Sequence, residues 1–505
     1  MKNKYLSIYL LAFASGFLSL ALEVVWMRIV SFAGHSVPQA FSYTLALFLT
    51  GIAIGAWQGR KICRERRIFV NHELIGQYFG YAGCVDLVVL LVTYMSLFIS
   101  NQSILAVAAI GILIATSVRG VVFPLVHHLG TEKTKSGRQI SNVYFSNVVG
   151  SSLSPILIGF VLLDIFNTQQ IYFAICVCSF LIAAWCTPSS RKLLFYSQIG
   201  LLICTLGLLW LPEKLFQALA KDVVGKNIYP ITLIENKHGI IQVYYTDGTK
   251  VVYGANVYDG KFNIDFFNQN NRIDRAYFVP IMKPDAKNIL VIGLSTGSWT
   301  RVLSMMPKLE KMTIVEINPD YVKEIAKHPE IAPLLQDERV NIIIDDGRKW
   351  VRKNVGQYDV IMMNTTYYWR AYGTNLLSQE FLNILKQHLH TNSMVLYNPT
   401  GSEDAFFTAK SVYPQVYDYN GMVVSSFQPI DKPNVDEIAQ RLMNLQFPEN
   451  QQVVFSAEQA KKAAEFFDKQ PFHVYKHKEN ERLPEIIQDS NMITEYKYGK
   501  GLFSY

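Results

Sequence analysis

Seven long apolar stretches follow one another in the first 212 residues, at about 5–27, 39–58, 76–99, 104–126, 143–165, 169–187 and 194–212. Each is long enough to cross a bilayer as a helix. Small residues recur within them, as at Gly51 and Gly55 or Gly150 and Ser154, a spacing that suits close helix contacts. The first stretch does not read as a cleaved leader, because its apolar run is too long and Glu23 and Arg28 follow it. Beyond residue 212 the pattern changes. EKLFQALAKDVV predicts a linker helix, and the alternating IIQVYYTDG and KVVYGANVYDG predict strands, with Asp247–Gly248 and Asp259–Gly260 as hairpin turns. From residue 286 short wholly apolar runs alternate with amphipathic ones, the order of a βαβαβ unit. Two helical patterns follow near 434–445 and 456–468, the second capped by Ser456.

The βαβαβ region carries the chemistry. NILVIGLSTGSWTRVL places an apolar strand before Gly293, Ser295 and Gly297, and a helix opens directly after. Such a turn leaves backbone N–H groups free to meet a nucleotide-like ligand. In MTIVEINPDYV a second strand ends in Glu316, where an acid can accept hydrogen bonds from both hydroxyls of a ribose. In VNIIIDDGRKWV a third ends in Asp345, Asp346 and Gly347, where an acid can hold an exocyclic amine such as that of adenine. Adjacent acids on a strand point opposite ways, so one of the two faces the ligand. An N-cap role for Asp346 is the competing reading. Glycine turn, Glu and Asp at three successive strand ends predict an adenosyl-nucleoside site of the S-adenosylmethionine kind.

These stretches resemble the spermidine synthase (polyamine aminopropyltransferase) family. LVIGLSTGSWTRVL is similar to its glycine-rich motif, TIVEINPDYV to its ribose motif and IIIDDGRKWV to its adenine motif. LLSQEFLNILKQHL resembles the helix after its catalytic loop, IENKHGIIQVYYTDGTKVVYGANVYDG its small β-domain, and DSNMITEYKYG is a weaker echo. With the apolar half in front, the chain resembles the fused form of the family. The fold class expected is therefore a membrane α-helical bundle followed by α/β, a small β-domain plus a Rossmann-like domain of the S-adenosylmethionine-dependent methyltransferase type. The boundaries are 1–212 for about seven transmembrane helices, 213–285 for linker and β-domain, 286–430 for the Rossmann-like domain and 431–505 for a C-terminal helical extension.

The resemblance implies decarboxylated S-adenosylmethionine, or S-adenosylmethionine, as co-substrate with no metal, and an amine or other small nucleophile as acceptor. It also shows departures. The aspartate of the family's glycine motif is Thr296 here, and the aspartate that opens its catalytic loop is Asn364, followed by Thr365 and Thr366. An amide cannot serve as a general base near neutrality. The family's β-domain glutamine falls at Gly239, and its Tyr-His pair reads Tyr277–Phe278. Tyr367, Tyr368, Trp369, Arg370 and Tyr372 form an aromatic run able to hold a cation by its ring faces. Arg370 itself disfavours a diamine and turns attention to an anionic or peptide acceptor. Asn364, Thr365 and Tyr367 are thus the candidate catalytic residues, and Thr296, Tyr277, Trp369 and Arg370 the candidate acceptor contacts. A ligand-binding sensor without catalysis and a polyamine or cation transporter are the alternatives to a transferase.

Composition sharpens this picture in two ways. Half of the residues are apolar and 17% charged, a bias that fits a chain with a membrane portion. Residues 1–212 hold 14 Lys and Arg against 6 Asp and Glu, while the rest hold 33 against 34, so the net charge of +7 belongs to the apolar half. It marks loops, not a nucleic-acid surface. Lys2 and Lys4, then Arg60, Lys61, Arg64, Arg66 and Arg67, then Lys133, Lys135 and Arg138, and finally Arg191 and Lys192 lie in alternate loops. This puts the N-terminus in the cytoplasm, in a multi-pass inner-membrane protein. Seven crossings place residues 213–505 outside and six place them inside; sidedness stays open between these, and a homo-oligomer is compatible with either. Among charges in the apolar half, a Glu23–Arg119 pair is the expected polar link between spans, and Asp164 is expected at an interface. The six cysteines and His127–His128 lack metal-ligand spacing.

Overall fold

The computed structural model describes residues 2–65, 69–97, 104–131, 137–187, 191–210, 214–221, 228–477, 482–491, 493–497 and 500–503. Arg66, Arg67, Lys133 and Lys135, counted above among the basic loop residues, lie outside them, as do residues 222–224 of the expected linker helix. The chain divides into two compact units, residues 1–240 with 502–505, and residues 241–501.

In the first unit the apolar stretches are helices: α1 (Lys2–Ala33), α2 (Gln39–Arg64), α3 (His72–Ser96), α4 (Ile104–Thr131), α5 (Gly137–Phe160), α6 (Thr168–Cys186) and α7 (Arg191–Trp210). Among the described residues, α1 to α6 are long and apolar enough to cross a membrane, whereas the apolar run of α7, Lys192–Gly207, is shorter. The linker helix α8 covers Lys214–Leu219. Small residues let backbones meet. A Cβ on Gly55 of α2 would lie 2.2 Å from the Ser117 carbonyl of α4, and one on Gly150 of α5 would lie 2.1 Å from the Phe13 carbonyl of α1. Outward faces stay apolar, with Phe41, Leu49 and Trp57 on α2 and Phe145, Ile156 and Phe160 on α5 exposed.

The buried charge in this bundle differs from the expectation. Arg119 pairs with Asp86 of α3, not with Glu23, which is only half-buried on α1. Nε of Arg119 donates to Asp86 at 3.0 Å and its terminal nitrogen to Ser179 Oγ of α6 at 3.0 Å, while Tyr172 of α6 donates to the Asp86 carbonyl at 2.8 Å. Arg119 faces α3 and α6, so α1 offers it nothing. Asp164 pairs with Lys237 at 2.8 Å, both side chains about a third exposed. Arg28 donates to the Gly239 carbonyl at 3.0 Å and lies 3.9 Å from Glu235, which also accepts from the Thr168 amide at 3.0 Å. Strand β1 (Thr232–Asn236) completes this segment.

In the second unit, β2 (Gly239–Thr246), β3 (Thr249–Gly254) and β4 (Val257–Lys261) form an antiparallel meander. Asp247 and Gly248 make the first turn, with φ of 51° and 76°. The second turn is at Ala255 and Asn256, φ 46° and 66°, and not at Asp259–Gly260 as the sequence suggested. Asp259 and Gly260 lie inside β4, because Tyr258 and Gly260 pair across to Tyr253 and Val252 around a bulge.

The main sheet runs β7 (Val340–Ile344), β6 (Lys311–Glu316), β5 (Asn288–Ile292), β8 (Tyr358–Met363), β9 (Leu389–Tyr397), β11 (Met422–Ser426), β10 (Gln415–Tyr419), β12 (Phe472–Val474). The strands from β7 to β9 are parallel, and β11, β10 and β12 add antiparallel pairs. Alternate residues face opposite layers. Ile289 and Val291 of β5 pack with Ile314 and Val360 in one core, Leu290 and Ile292 with Val315 and Ile361 in the other. Helices α9 (Asp274–Met282), α10 (Ser298–Ser304), α11 (Asp320–Ile325) and α12 (Gly347–Lys353) stand nearest the site. The two C-terminal patterns form helices Val435–Met443 and Ala457–Lys469, each with a capping box, from Asn434 and from Ser456, and both pack on the first core. Strand order reverses between β5 and β8, and ligands of such sheets bind at that crevice.

The Asp86–Arg119 pair generates a test. Asp86→Leu leaves a buried guanidinium unpaired and is expected to lower stability by about 3–5 kcal/mol. Adding Arg119→Met is expected to recover most of that loss. Unfolding of the full chain in detergent, followed by circular dichroism, measures both.

Candidate functional site

The glycine turn after β5 is folded around one acid. Glu316, 4% exposed at the end of β6, accepts from the Leu294 amide at 2.7 Å and from the Asn318 amide at 2.8 Å. Gly293 has φ 90°, and a Cβ there would lie 2.7 Å from the Asn364 carbonyl, so only glycine lets β5 and β8 emerge side by side. Ser295, φ 50°, donates from Oγ to the Asp259 carbonyl at 3.1 Å. Gly297, φ 73°, precedes α10 and is closed in by Ile325 and Ile331. Burial pushes the Glu316 carboxyl up to about 7; the Asp259 charge adds to this, and the amides of Asn318, Leu294 and Ser295 oppose it.

The third strand end is more open. The Asp345 amide donates to the Glu316 carbonyl at 3.1 Å, which brings β7 beside the turn. Asp346 is exposed and caps α12, accepting from the Lys349 amide at 2.7 Å, the competing reading of that residue. Asp345 accepts from the Asp346 amide at 2.9 Å and from Lys349 Nζ at 2.6 Å, and these bonds hold its carboxyl below the usual range. Gly347 opens α12. Ile317 and Ile344, 50% and 46% exposed, leave apolar surface beside Glu316, Ile344 being its register partner on β7.

A cavity of 530 Å³ opens next to this turn, walled by Tyr258 and Asp259 of β4, Asn364 to Tyr367 after β8, and Asn398 to Glu403 after β9. Its other wall holds Arg275, Asp418, His473 and Lys476. Asn364 is fixed through its amide to the Ile292 carbonyl at 2.9 Å, and Thr365 donates to the Asn398 carbonyl. Arg370 donates to Thr366 Oγ at 2.8 Å. Tyr367 packs on Trp369, ring centroids 5.3 Å apart, and Trp369 is buried outside the cavity wall, with Lys500 Nζ 5.1 Å from its ring.

None of the four expected acceptor contacts, Thr296, Tyr277, Trp369 and Arg370, lines this cavity. Tyr277 is buried in the first core against Phe266 and Phe455, its hydroxyl bonded to the Ile264 carbonyl at 3.0 Å. The α9 face that carries it points into the core. Thr296 is buried against β4, its hydroxyl 3.0 Å from Ser298 Oγ. Both are therefore held away from the cavity wall.

Sequence reading missed Asp259, the acid of this wall nearest the glycine turn. It accepts a hydrogen bond from Tyr321 of α11. Burial pushes its carboxyl up, against the hydrogen bond from Tyr321 and the charge of Arg370. The alternation in Val257–Tyr258–Asp259–Gly260–Lys261 was the available signal, masked by the Asp-Gly pair that resembles a turn. Among the described residues no three His, Cys, Asp or Glu side chains gather as a metal site.

The reversing parallel sheet with an acid at the end of β6 defines a Rossmann-like fold of the S-adenosylmethionine-dependent methyltransferase type. Within that class, residues 276–413 match the spermine/spermidine synthase domain, and among the described residues six long apolar helices stand ahead of that domain. A polyamine aminopropyltransferase of Clostridium botulinum is 37% identical over 110 residues, 21% of this chain and 38% of that protein. One from Alkaliphilus oremlandii is 37% identical over 100 residues, 19% of this chain and 34% of that protein. The chain thus spans well under half the length of these curated relatives. A spermidine synthase structure from Thermotoga maritima is 17% identical, covers 46% of this chain and 83% of that one, and has a TM-score of 0.36.

Glu316 gives the unfolding equilibrium a pH signature. Its folded value of about 7 lies above the ordinary 4.5, so its contribution to stability is full below 4.5 and is lost as pH rises through 7. The change is on the order of 3 kcal/mol. Unfolding of the full chain at pH 5 and pH 7.5 is expected to show this loss, and Glu316→Gln to abolish most of it.

Proposed function

We propose that residues 241–501 bind an adenosyl sulfonium nucleotide and transfer its alkyl group to an amine or other small nucleophile, in a protein anchored by its N-terminal helices in the inner membrane. The observation that carries this reading is Glu316, buried at the end of β6 against the β5 turn, with Asp259 of the 530 Å³ cavity wall joined to that turn through Ser295. The ribose hydroxyls displace the turn amides from the carboxylate or share it with them. Adenine lies between Ile317 and Ile344 with Asp345 or Asp346 at its amine. Decarboxylated S-adenosylmethionine and S-adenosylmethionine both fit this description.

The chemistry is a nucleophilic substitution. The lone pair of the acceptor forms a bond to the carbon beside sulfur, and the C–S bond breaks with its electrons passing to sulfur. The leaving group is a neutral thioether, so no acid has to expel it. What remains is alignment of the nucleophile and removal of one proton. The backbone of Asn364 and Thr365 and the Tyr367 ring position the acceptor. Asn364 accepts a hydrogen bond from an N–H through its amide oxygen but cannot take the proton, which the ammonium product releases to water.

A second reading, a sensor that binds the nucleoside without turnover, is favoured by the same two residues, Thr296 and Asn364. Calorimetry of the full chain in detergent separates the readings from a mere scaffold. Methylthioadenosine is expected to bind, and Glu316→Ala to weaken it by about 1.5–3 kcal/mol. Absence of binding by every adenosyl compound at millimolar concentration overturns both. Putrescine aminopropylation is expected to be weak, and Asn364→Asp with Thr296→Asp to raise it; robust spermidine formation by the unmodified chain contradicts this.

Sidedness has its own test. The N-terminus and the loop after α2 are placed in the cytoplasm by their basic residues. A reporter active only in the cytoplasm, fused after Tyr505, reads silent for seven crossings and active for six. Six crossings would put residues 241–501 where adenosyl sulfonium nucleotides are made.

A further inference from the structure

The wall of the cavity remote from Glu316 is built by the β10–β11 turn, which lies beyond β9 in the sheet, and by the start of α9. Arg275 stands there, 7% exposed. One terminal nitrogen donates to the Asn420 carbonyl at 2.7 Å, while Nε is buried with no acceptor. The acids around it accept from other donors, although the second oxygen of Asp274 is buried without a partner. Asp274 accepts from the Asn420 side chain at 3.0 Å, Asp418 from the Gly421 amide at 2.7 Å, and Glu403 from His477 at 2.6 Å and the Tyr475 hydroxyl at 3.1 Å. None is hydrogen-bonded to the guanidinium.

A guanidinium is planar and matches a carboxylate through two parallel N–H bonds. Burying one with a donor unused is unfavourable unless something supplies the acceptor. Lys476, exposed on the same wall, is a second cation there. The opposite wall, by contrast, has Asp259 beside the glycine turn. The cavity therefore has Asp259 beside the glycine turn and, at its other end, Arg275 and Lys476 among Asp418 and Glu403, with a guanidinium that no described carboxylate accepts from.

We propose that this far end holds a carboxylate of the acceptor on Arg275, so that the acceptor is an amine bearing a carboxylate, of the ω-amino acid class, and not a diamine. The inference rests on the transferase or nucleoside-binding reading of the same site. An acceptor of this kind has only one amine to place, near Asp259 and Asn364, and needs no acid at Thr296 for a second ammonium.

The test compares two ligands of equal carbon count, 4-aminobutyrate and putrescine, by calorimetry on the full chain in detergent saturated with methylthioadenosine. The expected result is binding of 4-aminobutyrate at least about tenfold tighter than putrescine. Arg275→Gln is expected to remove that preference while methylthioadenosine still binds, and Arg275→Lys to retain part of it. Putrescine binding as tightly as 4-aminobutyrate, or an unchanged preference in Arg275→Gln, overturns the proposal. So does absence of 4-aminobutyrate binding to a chain that binds methylthioadenosine. Loss of methylthioadenosine binding in Arg275→Gln alone signals misfolding, and the comparison on the unmodified chain then decides. Failure of methylthioadenosine to bind the unmodified chain overturns the underlying reading instead.

Discussion

A single buried carboxylate organises the second unit. Glu316 ends β6 and takes the amide of Leu294 from the neighbouring β5 turn and that of Asn318 from its own strand end. Those two bonds set the path of the chain after both strands. They also place Ser295 over β4, where its hydroxyl reaches the Asp259 carbonyl. The meander, the turn and the sheet thus converge on one acid, and the cavity begins where they meet. A carboxylate in such a place is neither cheap nor inert. Desolvation raises its proton affinity, and the only favourable compensation within the chain is backbone N–H.

Much of this was legible before any coordinates. The apolar runs of β5, β6 and β8 are short and continuous, which is how strands buried on both faces read, and β7 shows the same run although it is the partly exposed edge strand. Ser456 with Gln459 and Asn434 with Glu437 announce helix starts through side-chain chemistry that acts locally. Glycines at 293 and 297 and the acid at 316 are likewise local consequences of a strand meeting a helix. What escaped is what depends on distant partners. Asp-Gly at 259–260 has the composition of a turn, yet pairing with β3 draws it into a strand. Tyr277 has the composition of a ligand contact, yet the packing of α9 commits it to the core. The partner of Arg119 could not be chosen from sequence, because several acids lie in or beside the apolar stretches and only helix packing selects Asp86.

The site's two halves also differ in how firmly residues are committed. Around Glu316 the carboxylate already accepts from the Leu294 and Asn318 amides, so on the proposed reading a nucleoside must compete with bonds already formed. Along the far wall Arg275 retains an unused donor, so a ligand there completes a set. Selectivity between nucleoside and acceptor is thereby divided: exchange of partners on one side, completion of partners on the other. In the second case a mismatched acceptor carries a penalty, since it buries a cation against a group that cannot accept.

The Asp86–Arg119 pair bears on how the helical unit is made. Asp86 and Arg119 sit on α3 and α4, which are consecutive in the chain. Each helix alone would carry one uncompensated charge into hydrocarbon, and the energetic obstacle to that is large. Entering together as a hairpin, the two present a neutral, internally bonded surface. Ser179 and Tyr172 of α6 then add their hydroxyls later in synthesis. The order of the helices in the chain therefore makes Arg119 available to Asp86 before the α6 groups that complete their bonding have been synthesised.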